Sequence, residues 1–341
     1  MKPGMTPYSE DILLNIVNLK VYFYTDEGEI RAVDGVNLTL KRGSILGLVG
    51  ESGCGKSVTA YSILRLIQNP GRIVDGQILL NPRKGAPIEM TSLSLRSAQL
   101  HQLRGGLGSM IFQEPMTALS PVHTIENQLC EAIFIHQHVS RAEARKIAFK
   151  MLSRVGIPGP EIRMQQYPHE LSGGMRQRIL IAMALVCQPE LLIADEPTTA
   201  LDVTIQAQVL GVIKTLQRDF GTSALLITHD LGVVAQMADE AAVMYVGRIV
   251  EQAKVQLLMN NPLHPYSMGL LASLPARNLR RKKLPAIEGS VPALTEIPPG
   301  CPFHPRCAHL IPGKCDRGNP PALNELVPGR KVACYWREQC L

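Results

Sequence analysis

Apolar and polar positions alternate along residues 12–49 around a turn at 26–28, and the segment closes on the unbroken apolar run 45–49. Alternation at period two puts one face of a strand on a core, while a continuous apolar run marks a strand buried on both faces. The pattern predicts antiparallel strands leading into a buried one. After residues 50–57, apolar positions recur at helical spacing over 58–67 and stop before Asn69, Pro70 and Gly71. A further helix is predicted over 141–155, ended by Gly156 and Pro158. The runs 191–194 and 224–228 read as short strands buried on both faces, each followed by an acidic or histidine residue. Such strands, alternating with helices, predict a parallel sheet.

Composition changes past Asn260. Eight prolines lie between Pro298 and Pro328, with Cys301, Cys307, Cys315 and Cys334 interleaved. At 341 residues the chain exceeds one typical domain, so a large unit over 1–260 and a second over 261–341 are expected, with the basic run 280–283 as a flexible stretch. A net charge of +6, spread along the chain, gives little pull toward nucleic acid or anionic lipid. Residues 1–11 carry no apolar stretch of a secretory signal, and the apolar run 179–187 falls short of the roughly 20 residues a spanning helix needs. The expectation is a cytosolic chain that does not cross a bilayer. Its cysteines should be reduced, so a cluster of them suggests metal before disulfide.

The strongest local signal is Gly50, Glu51, Ser52, Gly53, Cys54, Gly55, Lys56 and Ser57, a GxxxxGKS run between a predicted strand and a helix that continues through Val58. Glycines are required because backbone N–H groups must converge on phosphates where a Cβ would obstruct the turn. Lys56 sets a cation against the β and γ phosphates, Ser57 offers a hydroxyl to Mg2+, and the helix N-terminus adds its dipole. Asp195 and Glu196 end the run 191–194. The first is expected to hold magnesium and the second to polarise the attacking water. Cys54, beside Lys56 and a helix start, is expected either to have a lowered thiol pKa or simply to fill space.

Leu171, Ser172, Gly173, Gly174 and Met175 resemble the signature motif of ABC ATPases, 21 residues before Asp195 when counted from Gly174. Gln113 resembles the Q-loop, residues 199–202 the D-loop, and His229 the switch histidine of that family. Met175 stands where Gln is commoner, and Thr199 where Ser is. The resemblance implies an α/β P-loop NTPase: a RecA-like mixed sheet core, an antiparallel β subdomain, a helical subdomain at about 115–180, and here a small Pro/Cys-rich C-terminal module. It further implies that Gln113 contacts Mg2+ and the attacking water, that His229 bonds the γ phosphate, and that Asp202 acts across a dimer. In that dimer Ser172, Gly173 and Gly174 of one chain cover the ATP held by Lys56 of another. Phe23, with Tyr24 as the alternative, aligns with the aromatic that stacks on adenine, although a core strand position explains it equally well.

Within that family the chain resembles the ATP-binding subunits of dipeptide and oligopeptide importers, through Asn261, Pro262, Leu263, His264, Pro265 and Tyr266 and through the run from Cys301 to Cys307. That branch also handles nickel and other solutes. The implied partners are a related but different ATPase subunit, two transmembrane permease subunits and, indirectly, an extracytoplasmic solute-binding protein, with the chain peripheral on the cytoplasmic face of the membrane. The spacing of Cys301, Cys307, Cys315 and Cys334 differs from the short CxxC pairs of common zinc sites and by itself decides nothing. A metal staple suits a proline-rich segment too short to build much core, and buried free thiols are the alternative. The resemblance implies a [4Fe-4S] cluster on the four thiolates, with Zn2+ as competitor. Two rivals fit poorly. A DNA-repair ATPase needs long heptad arms that residues 57–194 lack. No specific nucleic-acid binding is expected of the 280–283 run.

Overall fold

The computed structural model describes residues 10–113, 118–199, 201–274 and 286–340. The basic run 280–283 and the first residues of the segment expected to start the helical subdomain lie outside them. Strands β1 (Ile12–Thr25) and β2 (Gly28–Lys41) form the predicted hairpin, and β3 (Ile45–Val49) follows, buried throughout. In β1 the apolar pattern takes a three-residue step from Ile16 to Leu19. A bulge absorbs it, with Asn18 at φ 48°, so Leu19 and Val21 return to the core face. With β4 (Gly71–Leu80) and β5 (Ile88–Glu89) the hairpin makes a four-stranded antiparallel sheet in the order β2-β1-β4-β5.

The central sheet has eight strands in the order β11-β12-β10-β9-β3-β8-β7-β6. Its strands β6 (Gly108–Ile111), β7 (Leu191–Asp195), β8 (Ser223–Thr228) and β9 (Glu240–Tyr245) run parallel with β3. Strand β10 (Arg248–Lys254) turns back antiparallel to β9, and β11 (Asn324–Val327) and β12 (Arg330–Val332) add to it from the proline-rich region. The sheet is therefore mixed, and its far edge comes from the end of the chain.

Helix α1 (Lys56–Ile63) leaves the phosphate loop directly. It ends earlier than the apolar spacing predicts because Arg65 takes a left-handed φ of 57°. After α2 (Ala98–Gly106), helices α3 (Ile125–His136), α4 (Arg141–Arg154), α5 (Pro160–Met164) and α6 (Gly173–Leu185) pack around Ile125, Leu129, Ala148, Leu152 and Ile179. Ser140 and Glu143 close a capping box on α4, which fixes its start where the sequence pattern puts it. Helix α7 (Val203–Phe220) follows β7, α8 (Leu231–Met237) follows β8, and α9 (Val255–Asn260), α10 (Pro265–Ala272) and α11 (Tyr335–Cys340) complete the chain.

Two buried nodes attach the C-terminal residues. Tyr245 of β9 packs against Tyr266 and Phe303 with ring centroids 4.6 and 5.3 Å apart. The fully buried Glu251 carboxylate accepts from Leu263 N and His264 N, both at 2.9 Å, and from Arg330 Nη2 at 3.2 Å. A carboxylate so enclosed is tolerable only because each oxygen has a donor.

Candidate active site

The phosphate loop runs from the end of β3 to the start of α1. Gly55, at φ 103°, packs against the carbonyl of Ala32, so a side chain there would be strained in backbone and blocked in space. Ser52 and Gly53 are exposed on the loop, and Val58 packs toward the core beneath α1. The buried Lys56 ammonium donates to Gly50 O at 2.8 Å and Glu51 O at 2.9 Å. Cys54 is buried, its sulfur 3.9 Å from Lys56 Nζ. Burial raises its thiol pKa more than the lysine lowers it, which corrects the expectation of a lowered value and leaves the space-filling role.

Adjacent parallel strands bring the acids to this loop. Ser57 Oγ donates to Asp195 Oδ1 at 3.1 Å across the gap between α1 and the end of β7. Asp195 is fully buried and its Oδ2 has no hydrogen-bond partner among the described residues. Burial raises its carboxyl pKa, with the Ser57 hydrogen bond acting the other way. A buried carboxylate oxygen left open beside a serine hydroxyl fits the hard oxygen set that Mg2+ prefers.

Glu196 collects the remaining side chains. Its Oε2 accepts from Thr199 Oγ1 at 2.7 Å and Gln113 Nε2 at 3.4 Å, and its Oε1 lies 3.1 Å from His229 Nδ1. Burial alone would raise this carboxyl, but the hydrogen bonds from Thr199 and His229 outweigh it, so its pKa falls below the usual range. The backbone of Glu196 sits at φ 46°, strained for a non-glycine residue. Gln113, Asp195, Glu196 and His229 thus lie together near the phosphate loop. The hydrogen bond from Thr199 was not foreseen.

Other expected residues sit apart. Ser172 caps α6 by accepting from Met175 N, and Ser172 and Gly173 are exposed. Among the described residues no hydrogen bond joins Ser172 to the phosphate loop of its own chain. Asp202 caps α7, accepting from Ile205 N at 2.9 Å, so its carboxylate already has a local role. At the end of β1 the half-buried Phe23 ring packs against Gly71, while Tyr24 is 46% exposed.

Cys301, Cys307, Cys315 and Cys334 are all free thiols. Cys301 N donates to Cys315 O at 2.8 Å, and the sulfurs of Cys307 and Cys315 accept from His309 N and Ile311 N, each at 3.4 Å. Burial pushes Cys301 up to about 12, with Cys334, Cys315 and Cys307 close enough to add to the effect. The four are neighbours in chemistry that thiolate-bound metals use. Among the described residues, though, no group of three or more His, Cys, Asp or Glu converges tightly enough to hold a metal ion. Among the same residues no helix is long and apolar enough to cross a membrane.

Residues 33–199 match the family model for ABC transporters, and residues 250–315 match that for the C-terminal region of oligopeptide/dipeptide transporters. A probable peptide ABC transporter ATP-binding protein of Sinorhizobium fredii is 52% identical, covering 96% of this chain and 95% of its own. The oligopeptide transport ATP-binding protein AppD of Bacillus subtilis is 50% identical over 96% of this chain and 97% of its own. A solved dimeric ATP-binding cassette in a post-hydrolysis state with ADP and Pi superposes with a TM-score of 0.63 at 25% identity, covering 71% of this chain and 99% of that one.

Proposed function

Because the chain belongs to the ABC transporter family and is one of its ATPases, we propose that it drives peptide import through a separate transmembrane permease, with residues 1–260 as the nucleotide-binding unit and 261–341 as an extension. The observation that carries the ATP-site reading is the convergence of Gln113, Thr199 and His229 on Glu196, beside the Ser57–Asp195 pair. The peptide reading rests on the names of the relatives and on the match over residues 250–315.

In this reading Lys56 turns from the loop carbonyls to the phosphates, and Ser57 and Asp195 hold Mg2+. The ion supplies charge neutralisation on the phosphate oxygens. Glu196, kept ionised by its donors, accepts a hydrogen bond from the attacking water and orients it in line. A carboxylate only accepts, so the His229–Glu196 contact needs the proton on Nδ1, and a hydrogen bond to the γ phosphate would need one on Nε2 as well. Phe23 is the adenine platform, since a ring already held against Gly71 loses little freedom on stacking, and Tyr24 flanks it. The exposed Ser172 and Gly173, with the partly exposed Gly174, close over ATP held by a second cassette, with the related-subunit pairing the preferred arrangement. Asp202, at the start of α7, acts across the dimer toward that partner. Closure and reopening of the pair move two permease subunits between their two states on the cytoplasmic face of the membrane.

The cysteine segment would take up a [4Fe-4S] cluster in a structural or sensing role, with Zn2+ as the alternative, its four thiols drawing together on the metal because they do not converge tightly without it. Four free cysteines in one short segment, two of their sulfurs already accepting backbone N–H bonds, support it. The test of the whole reading is reconstitution with the permease in vesicles. Peptide uptake should require ATP on the cassette side and vanish with Lys56→Ala; uptake that persists in that variant overturns it.

A further inference from the structure

The phosphate loop is held from outside the cassette. Glu51, its second residue, donates its backbone N–H to Tyr266 Oη at 2.9 Å. Its carboxylate receives Arg306 through Nη1 at 2.9 Å and Nη2 at 3.3 Å. Both partners come from the C-terminal extension, 215 and 255 residues away. Arg306 is itself fixed: its side chain is only 4% exposed, Nε donates to Glu288 O at 3.1 Å, and Nη1 reaches Tyr245 Oη at 3.4 Å. Tyr266 is fully buried against Tyr245 and Phe303. Residue 51 also touches the catalytic lysine, because its carbonyl accepts from Lys56 Nζ at 2.9 Å.

We propose that Arg306 and Tyr266 are positioning residues of the ATP site: gripping the side chain and the amide of Glu51, they set the phosphate loop in its ATP-binding shape. The inference rests on the ATP-site reading above and adds that the site is incomplete without the extension. A forked guanidinium on a carboxylate fixes direction as well as distance, and the anchored Arg306 pays its ordering cost in folding and not on nucleotide binding. The chemistry of hydrolysis lies on Glu196, whose side chain bonds to Gln113, Thr199 and His229 and not to Glu51. Loosening the clamp therefore weakens ATP binding and leaves the chemical step alone. The mechanical route also ties Cys307, the next residue after Arg306, to the phosphate loop.

The test compares ATP hydrolysis by the full chain assembled with its permease across Glu51→Gln, Arg306→Gln, the double variant, Tyr266→Phe and Lys56→Ala, with thermal unfolding of each variant free of nucleotide. Losing one charged hydrogen-bond pair should raise KM for ATP about tenfold while kcat stays within about twofold. The double variant should be no worse than either single one, since both remove the same contact, and Tyr266→Phe should raise KM less. An unchanged KM in Glu51→Gln, additive effects in the double variant, or a fall in melting temperature with KM unmoved would overturn the clamp. Should Arg306→Gln fail to fold, Glu51→Gln, on the solvent side of the contact, decides alone. If Lys56→Ala leaves ATP binding intact, the ATP-site reading itself fails; if Lys56→Ala abolishes binding and Glu51→Gln changes nothing, only the clamp fails.

Discussion

His229 Nδ1 stands 3.1 Å from Glu196 Oε1, joining the end of β8 to the end of β7 across adjacent parallel strands. The contact orients a histidine whose side chain is otherwise 64% exposed. His229→Ala should therefore cost about a hundredfold or more in turnover, the range for a positioned proton-transfer or charge-stabilising group, with little change in ATP affinity. Steady-state hydrolysis and ATP binding measured on the same preparation check it; a variant that turns over at the wild-type rate removes His229 from the site.

Replacing Cys307 with Ser takes away one thiolate of the proposed cluster. Iron and acid-labile sulfide per chain should fall together in anaerobically purified protein. Zinc at one per chain in the parent would instead assign the four sulfurs to that ion, and neither metal in the parent would leave four structural thiols.

His264 gives the fold an acid sensitivity. Its Nδ1 accepts from Tyr266 N at 3.0 Å, its Nε2 is buried without a partner among the described residues, and complete burial pushes its pKa down to about 3 from an ordinary 6.5. Between those values the unfolded chain binds a proton that the folded one refuses. The folded state is then fully favoured above about pH 6.5 and loses stability as pH falls toward 3. This one group should remove about 2 kcal/mol between pH 7 and pH 5. Denaturant unfolding at the two pH values should show His264→Asn, whose amide oxygen can still accept from Tyr266 N, losing less by about that amount. An equal loss in both proteins would place the acid sensitivity elsewhere.

What the chain reveals before folding follows from how local each feature is. The glycine loop and Lys56 are consecutive, so their chemistry reads directly, and β3, β7 and β8 announce themselves because burial on both faces keeps polar residues to their ends. Gln113 and His229 lie 83 and 33 residues from Glu196 and could be joined to it only through their order along a recognisable motif series. Two features had no such handle. Strands β11 and β12 are four and three residues long, too short to show a period in a proline-rich stretch. The Glu51–Arg306 contact spans 255 residues and depends on the aromatic packing of Tyr245, Tyr266 and Phe303. Of the two readings of Cys54, a lowered thiol pKa gives way to the space-filling one, because burial, a tertiary property, outweighs the pull of Lys56.

In the proposed mechanism Glu196 orients the water that cleaves ATP bound at Lys56. Glu196→Gln keeps the shape and the contact to Gln113 while removing the charge that orients the water. Single-turnover hydrolysis by this variant, assembled with its permease and preloaded with radiolabelled ATP, is the most direct measurement. ATP should be retained at wild-type occupancy with phosphate release slowed by about a hundredfold or more; phosphate released at the wild-type rate would remove Glu196 from that role.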